Sequence, residues 1–204
     1  MVIIWILAFA VAITIHEAAH AYMADKLGDP TARLMGRLSL NPIVHYDPVG
    51  TTLLLVLVFL RSMGIPVIPF GWAKPVEFDP YNLKNPQKDS ALISLAGPIS
   101  NILVAVIFSV LTYLFPFLAF IALPFILLNV SLAVFNLIPI HPLDGGKILV
   151  GILPRNKAYK VDLFLNQFGT ILLLILILPS FGGSSLVSLI ISPVINFLLA
   201  LLLP

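Results

Sequence analysis

The segment Ser90–Leu143, SALISLAGPISNILVAVIFSVLTYLFPFLAFIALPFILLNVSLAVFNLIPIHPL, runs for 54 residues without an aspartate, glutamate, lysine or arginine. As one helix it would be about 80 Å long, well over twice the hydrocarbon thickness of a bilayer, so it must fold back. Pro116 is the natural break, giving helices near 92–114 and 118–138. A second charge-free run of 42 residues, Leu163–Pro204, splits likewise at Pro179–Ser185. With 60% hydrophobic and only 10% charged residues among 204, and a mean hydropathy of +1.09, the chain reads as a polytopic membrane protein. That length leaves room for one membrane domain and no sizeable soluble one.

Outward from these runs, Met1–Ala24 is a third apolar stretch. It lacks the basic opening of a secretory signal and continues in helical register through His16, Glu17 and His20, so it reads as a retained helix. Leu27-Gly28-Asp29-Pro30 stops it. All but four of the eleven Lys and Arg then lie between Lys26 and Lys88, in a loop region. Within it Ala32–Leu40 predicts a short strand pair turning at Gly36, and Thr51–Leu60 is too short for a comfortable crossing. Ile65–Phe70, with Pro66 and Pro69, predicts a return to the starting side as a re-entrant hairpin. The expected fold is therefore all-α and polytopic, with five to six transmembrane helices, a short membrane-associated β-hairpin and a re-entrant segment. The absence of cysteine excludes disulfide frameworks, thiolate zinc sites and cysteine nucleophiles. The net charge of +2, with basic residues clustered between apolar runs, points to membrane topology and not to nucleic-acid binding.

The chemistry lies in His16-Glu17-Ala18-Ala19-His20, an HExxH sequence on the first helix. It sets two imidazoles one turn apart on one face, where they can share a Zn²⁺, with the glutamate as general base on the water that the metal activates. Polar residues beside an apolar run of fourteen are costly in a membrane without a function, which disfavours a chance match. A zinc hydrolase needs a third protein ligand and an open position. Asp144 is the best candidate, being the sole acidic residue between Asp89 and Asp162, and it stands in Asn136-Leu-Ile-Pro-Ile-His-Pro-Leu-Asp144-Gly-Gly. The glycine pair permits close backbone approach, and the prolines break the helix.

HEAAH early in the chain, GPISN at 97–101, NLIPIHPLDGG at 136–146 and RLSLNPIVHYDPVGT at 37–51 resemble, in order and spacing, the site-2 protease family of intramembrane zinc metalloproteases, and the last is similar to its small prokaryotic branch. The resemblance implies a single membrane-embedded metalloprotease domain over 1–204, with a catalytic core of about 1–150 and a C-terminal helical hairpin at 160–204. It implies one Zn²⁺ per chain held by His16, His20 and Asp144, with Glu17 as catalytic base. Asn136 would position or polarise substrate, and Asn101 would line the site. No crossing precedes the HExxH helix and no PDZ or CBS domain is appended, so regulation by such domains is not expected. His141 offers a fourth ligand, an oxyanion donor or a partner to a ligand, alongside a plain loop role; His45 with Asp47 offers an orienting pair or a turn.

If His20 and Asp144 meet at one metal, an even number of crossings separates them. Helices near 92–114 and 118–138 satisfy that, provided 51–70 is re-entrant or crosses twice. In the re-entrant case all eleven Lys and Arg share one side, which the positive-inside rule makes cytoplasmic. The expectation is an outside N-terminus, an inside C-terminus and a zinc site toward the cytoplasmic face of a prokaryotic cell membrane. The function read here is hydrolysis of peptide bonds in or near a substrate's transmembrane segment, the substrate held extended by β-addition along Ala32–Leu40. The competing readings are a catalytically silent member acting as a membrane binding or scaffold protein, a zinc transporter, which would spread acidic or histidine ligands over several spans, and a tethered soluble zincin, for which no extramembrane domain remains.

Overall fold

The computed structural model describes residues 2–64, 71–178 and 185–203. Among these, the helices are α1 (Val2–Leu27), α2 (Thr31–Leu34), α3 (Pro48–Ser62), α4 (Pro86–Leu114), α5 (Ala119–Asn136), α6 (Asp144–Ile152), α7 (Arg155–Ile177) and α8 (Leu186–Leu202), and no β-strand is present among the described residues. Four segments are long and apolar enough to cross a membrane: Ile3–Leu27, Pro86–Leu114, Pro116–Asn136 and Arg155–Ile177. The 17 residues of α8 and 15 of α3 make helices of about 26 and 22 Å, short of the roughly 30 Å hydrocarbon core, so four spans stand by length where five to six were expected. The expected break at Pro116 is a 3-10 turn, Pro116–Leu118. The return at Ile65–Phe70 and most of the break at Pro179–Ser185 lie outside the described residues.

Helix α4 is the hub: it packs against α1, α5 and α6, while α5 packs against α1 and α8, and α7 joins α6 to α8. The buried residues of α1 include Ala8, Ala12, His16, His20 and Ala24, a four-residue step that lines them up along one side. Alanine at three of them lets neighbouring helices approach closely, the usual device where lipid offers no hydrophobic drive to association. Ala105, Ala122, Ile126, Val130 and Val134 form an apolar cluster between α4 and α5, covered by Ile191, Ile195 and Leu198 of α8. Leu7, Leu103, Ile107, Val110 and Phe117 face outward and exposed, a surface that water would penalise and a bilayer would not.

The first helix ends in a Schellman motif, with Asp29 N–H on the Ala24 carbonyl (2.9 Å), Gly28 N–H on the Asp25 carbonyl (3.2 Å) and Gly28 at φ +107°. Asp29 is fully buried. Its carboxylate accepts from the Thr31 backbone N–H (3.1 Å) and hydroxyl (2.6 Å), the Asp79 N–H (2.8 Å) and the Asn82 amide (2.8 Å). The expected strand pair at Ala32–Leu40 is not formed. Thr31–Leu34 is helical, and Gly36, at φ +70°, closes a second Schellman arrangement with Arg37 N–H on the Ala32 carbonyl (2.8 Å) and Gly36 N–H on the Arg33 carbonyl (3.0 Å). A glycine at positive φ serves a helix end as well as a hairpin, and Pro30 with the Asp29 clamp decides for the helix.

Burial alone raises the Asp29 carboxyl, but hydrogen bonds from Thr31, Asn82 and Asp79 outweigh it and hold its pKa below the ordinary value. A depressed native pKa contributes stability that is present above the unfolded value and lost as pH falls below about 4. Asp29→Asn is expected to cost about 1–3 kcal/mol at neutral pH. Thermal unfolding of the zinc-free protein at stepwise lower pH checks this: the gap to wild type should shrink in acid, and a gap constant with pH would count against the clamp.

Candidate metal centre

His16 and His20 both turn into the bundle toward α4 and α6, and both are buried. Their Nε2 atoms are 3.0 Å apart, and each lies close to Asp144 Oδ2, at 3.2 Å from His16 and 3.4 Å from His20. The opposite ring nitrogens fix what these atoms are. His16 Nδ1 donates to Asn101 Oδ1 (2.6 Å) and His20 Nδ1 donates to the Ile93 carbonyl (2.7 Å). A carbonyl oxygen accepts only, so both Nδ1 atoms are protonated, and in the neutral imidazole, the form that binds a metal, both Nε2 atoms then carry lone pairs. Asp144 Oδ2 is buried with no hydrogen-bond partner. Three lone pairs therefore converge without a donor among them. Ligand atoms 2.0–2.1 Å from a tetrahedral zinc lie roughly 3.3 Å apart, and these three atoms match that spacing.

Glycines make the convergence sterically feasible. A Cβ on Gly97 of α4 would sit 2.5 Å from His20 Nε2 and 2.6 Å from His16 Cε1. Pro98, with no N–H, leaves the Ser94 carbonyl without its helical donor, and the Ile93 carbonyl one residue earlier takes the His20 proton. Asp144 opens α6, with the loop 137–141 folded back onto that helix's first turn: a Cβ on Gly145 would meet the Ile138 carbonyl at 2.2 Å, and one on Gly146 would meet His141 Nδ1 at 2.4 Å. The expected close approach at the glycine pair is thus observed.

Glu17 is partly buried, and its Oε2 accepts from the Val76 N–H (2.9 Å). Val76 belongs to a strap, 71–79, tied also by Lys74 N–H on the His45 carbonyl (2.9 Å) and Asp79 N–H on Asp29. Phe78 of the strap lies under Lys147 of α6, the ammonium 4.5 Å from the ring centroid. Burial pushes the Lys147 pKa down, against the upward pull of Asp144, Glu17 and Asp162.

The structure gathers His16, His20 and Asp144 into one cluster of ligand atoms, with Asn101 behind His16. His141 stands apart from it, its Nε2 paired with Asp162 Oδ1 of α7 at 3.0 Å. His45 and Asp47 do not pair with each other: His45 Nε2 donates to the Ser39 carbonyl (2.8 Å), and Asp47 Oδ1 accepts from Gly50 N–H (2.7 Å) as an N-cap to α3. Asn136 ends α5 with its amide on the Leu132 carbonyl (3.1 Å). Sequence reasoning gave no role at the site to Gly97, although it quoted the GPISN motif, nor to Val76, Lys147 and Asn129, whose Oδ1 accepts from Asn101. The signal for Asn129 was present, an amide in the middle of an apolar crossing.

Gly97→Ala should push the two imidazoles out of register and weaken zinc binding by about 10–100-fold, the range found when the surroundings of metal ligands are disturbed. Competition with a chelator of known affinity measures it; undiminished affinity would show that Gly97 is not the cradle.

The family model for peptidase family M50 matches residues 114–176. The chain is 36% identical over 190 residues to YwhC of Bacillus subtilis, named as a zinc metalloprotease, covering 87% of this chain and 81% of that one. It is 28% identical over 160 residues to stage IV sporulation protein FB of the same organism, covering 73% and 52% of the two chains. It is 24% identical over 203 residues to zinc metalloprotease MJ0392 of Methanocaldococcus jannaschii, covering 96% and 48%, so it spans about half the length of these last two relatives. No solved structure matched. Similarity over most of both chains, joined to four apolar helices of crossing length and a cluster fit for zinc, makes this an integral membrane protein whose cofactor is Zn²⁺, and the chain belongs to peptidase family M50, the site-2 protease family of zinc metalloproteases.

Proposed function

We propose that the chain is an intramembrane endopeptidase that hydrolyses peptide bonds in or near the transmembrane segments of other membrane proteins. One zinc per chain is held by His16 Nε2, His20 Nε2 and Asp144 Oδ2, and Glu17 is the general base. The observation that carries this reading is the convergence of three donor-less lone pairs next to the glutamate of the same helix turn, on segments long and apolar enough to cross a membrane.

Bound zinc supplies Lewis acidity, which brings a water's pKa to about 7 and polarises a peptide carbonyl. Glu17 would take the proton of the attacking water on a carboxylate oxygen and later deliver it to the departing amine nitrogen. Its Oε2 accepts from the Val76 N–H, which ties the base to the strap. Asn101 and the Ile93 carbonyl hold both imidazoles with Nε2 presented to the metal. Asn136, at the entry to the loop that carries Asp144, is assigned to substrate positioning.

A transmembrane protein or peptide is the substrate, and the bilayer is the solvent of the outward faces. A helix hides its carbonyls in hydrogen bonds, so substrates with helix-weakening Gly, Pro or Asn near the cleaved bond are preferred. Because the strand pair at Ala32–Leu40 is replaced by a helix end, that segment is not assigned to holding the substrate. The orientation has the N-terminus outside and the site toward the cytoplasmic face, since only then do all eleven Lys and Arg share the cytoplasmic side; the four spans of crossing length alone would return the chain to the outside, so a cytoplasmic C-terminus requires the 17-residue α8 to cross as a fifth.

Glu17→Gln in detergent-purified protein should abolish cleavage of a membrane-anchored reporter while leaving zinc bound. Mass spectrometry of the reporter and elemental analysis of the protein read the two halves. Continued cleavage would remove Glu17 from its role, and loss of zinc would make it a structural residue.

A further inference from the structure

Asn129 lies within α5, fully buried and two helical turns before Asn136. Its Nδ2 donates to the Phe125 carbonyl (2.8 Å), which turns its Oδ1 toward α4, and there it accepts from Asn101 Nδ2 (2.8 Å). Asn101, also fully buried, gives a second hydrogen to the Ala12 carbonyl of α1 (2.9 Å). An amide has two N–H donors and one carbonyl in fixed directions. With both donors claimed by oxygens that cannot donate, the Asn101 amide has one orientation, Oδ1 toward His16 Nδ1. A flipped Asn101 would set its oxygen against two other oxygens and its NH₂ against His16. It would then favour the imidazole tautomer with the proton on Nε2, the atom that faces His20 and Asp144.

We propose that Asn129 is a positioning residue for the metal centre: through Asn101 it holds His16 in the tautomer whose Nε2 can bind zinc. The inference rests on the assignment of His16 as a ligand. It gives α5 a part in the site that its sequence position does not suggest, since the hydrogen bonds of the residue run to Asn101 and Phe125 and to no metal ligand among the described residues. The Ala12 carbonyl opposes the flip with one acceptor. Asn129 supplies a second, which satisfies the remaining Asn101 hydrogen and adds to the cost of reversing the amide.

The test compares zinc affinity by chelator competition with thermal unfolding of the zinc-free protein, for Asn129→Leu, Asn129→Asp, Asn101→Leu and the double variant Asn101→Leu/Asn129→Leu. Leucine has asparagine's branching at Cγ and no oxygen; a neutral aspartic acid keeps an acceptor for Asn101 and a donor for Phe125. Asn129→Leu is expected to weaken zinc binding by about 10-fold or more, without a matching loss of zinc-free stability, and Asn129→Asp to restore most of it. The double variant should bind no more weakly than Asn101→Leu alone, because the two residues act in series. Co²⁺-loaded Asn129→Leu should show altered visible absorption, which reports ligand geometry independently of activity. If Asn129→Leu does not fold, Asn129→Ala carries the same comparison. Zinc affinity unchanged in the leucine and alanine variants, or additive losses in the double variant, would overturn the relay while leaving the ligand assignment intact. A wild-type chain without zinc would overturn that assignment, and the relay with it.

Discussion

His16 Nε2, His20 Nε2 and Asp144 Oδ2 stand 3.0–3.4 Å from one another in a buried place, and with the ring protons held on the far nitrogens that proximity is favourable only around a cation. Each neighbouring element answers to that constraint. The four-residue step on α1 stacks the imidazoles on one face, Gly97 leaves the volume they occupy, and the glycine pair after Asp144 lets α6 begin against its own preceding loop. Removing Asn101 would leave the His16 Nδ1–H buried without its acceptor, a cost of order 1–3 kcal/mol even before the metal is lost.

A membrane sharpens these costs, because no water in the hydrocarbon region can take up a stray donor or acceptor. Polar side chains on the crossing helices are accordingly tied to partners: Asn129 to Phe125 and Asn101, Asn101 to Ala12 and His16, Thr112 to Phe108, and Ser109 to the Leu202 carbonyl of α8. The alanine-rich face of α1 and Ala105, Ala122 and Ala133 on α4 and α5 keep the helices near enough for such short side chains to reach across. Close packing and hydrogen bonding are one design here, since neither would hold without the other.

Local pattern carried much of this architecture. Two histidines at i and i+4 share a face on any α-helix, an acidic residue alone between charge-free runs has few destinations, and Pro116 breaks a run too long for one crossing. The family motifs named Asn101 without its role; the bond to His16 spans 85 positions, and no local spacing encodes it. Val76 reaches Glu17 across 59 positions for the same reason. The hairpin expected at Ala32–Leu40 failed on an ambiguous letter, because Gly36 at positive φ closes a helix as readily as it turns a strand pair. His45 and Asp47 looked like a pair because they are neighbours in sequence, yet one serves the Ser39 carbonyl and the other caps α3.

The strap at 71–79 and α6 bring further charge near the centre: Lys147 is under the pull of three carboxylates, Glu17, Asp144 and Asp162, and its ammonium lies 4.5 Å from the Phe78 ring centroid. All of this depends on α1 and α6 meeting at one ion. Elemental analysis of the detergent-purified chain, wild type beside Asp144→Ala, examines that meeting without needing a substrate. About one zinc per wild-type chain, lost or sharply reduced in the variant, is the result this account predicts; a variant that keeps its full zinc, or a wild type with none under conditions free of chelators, would contradict it.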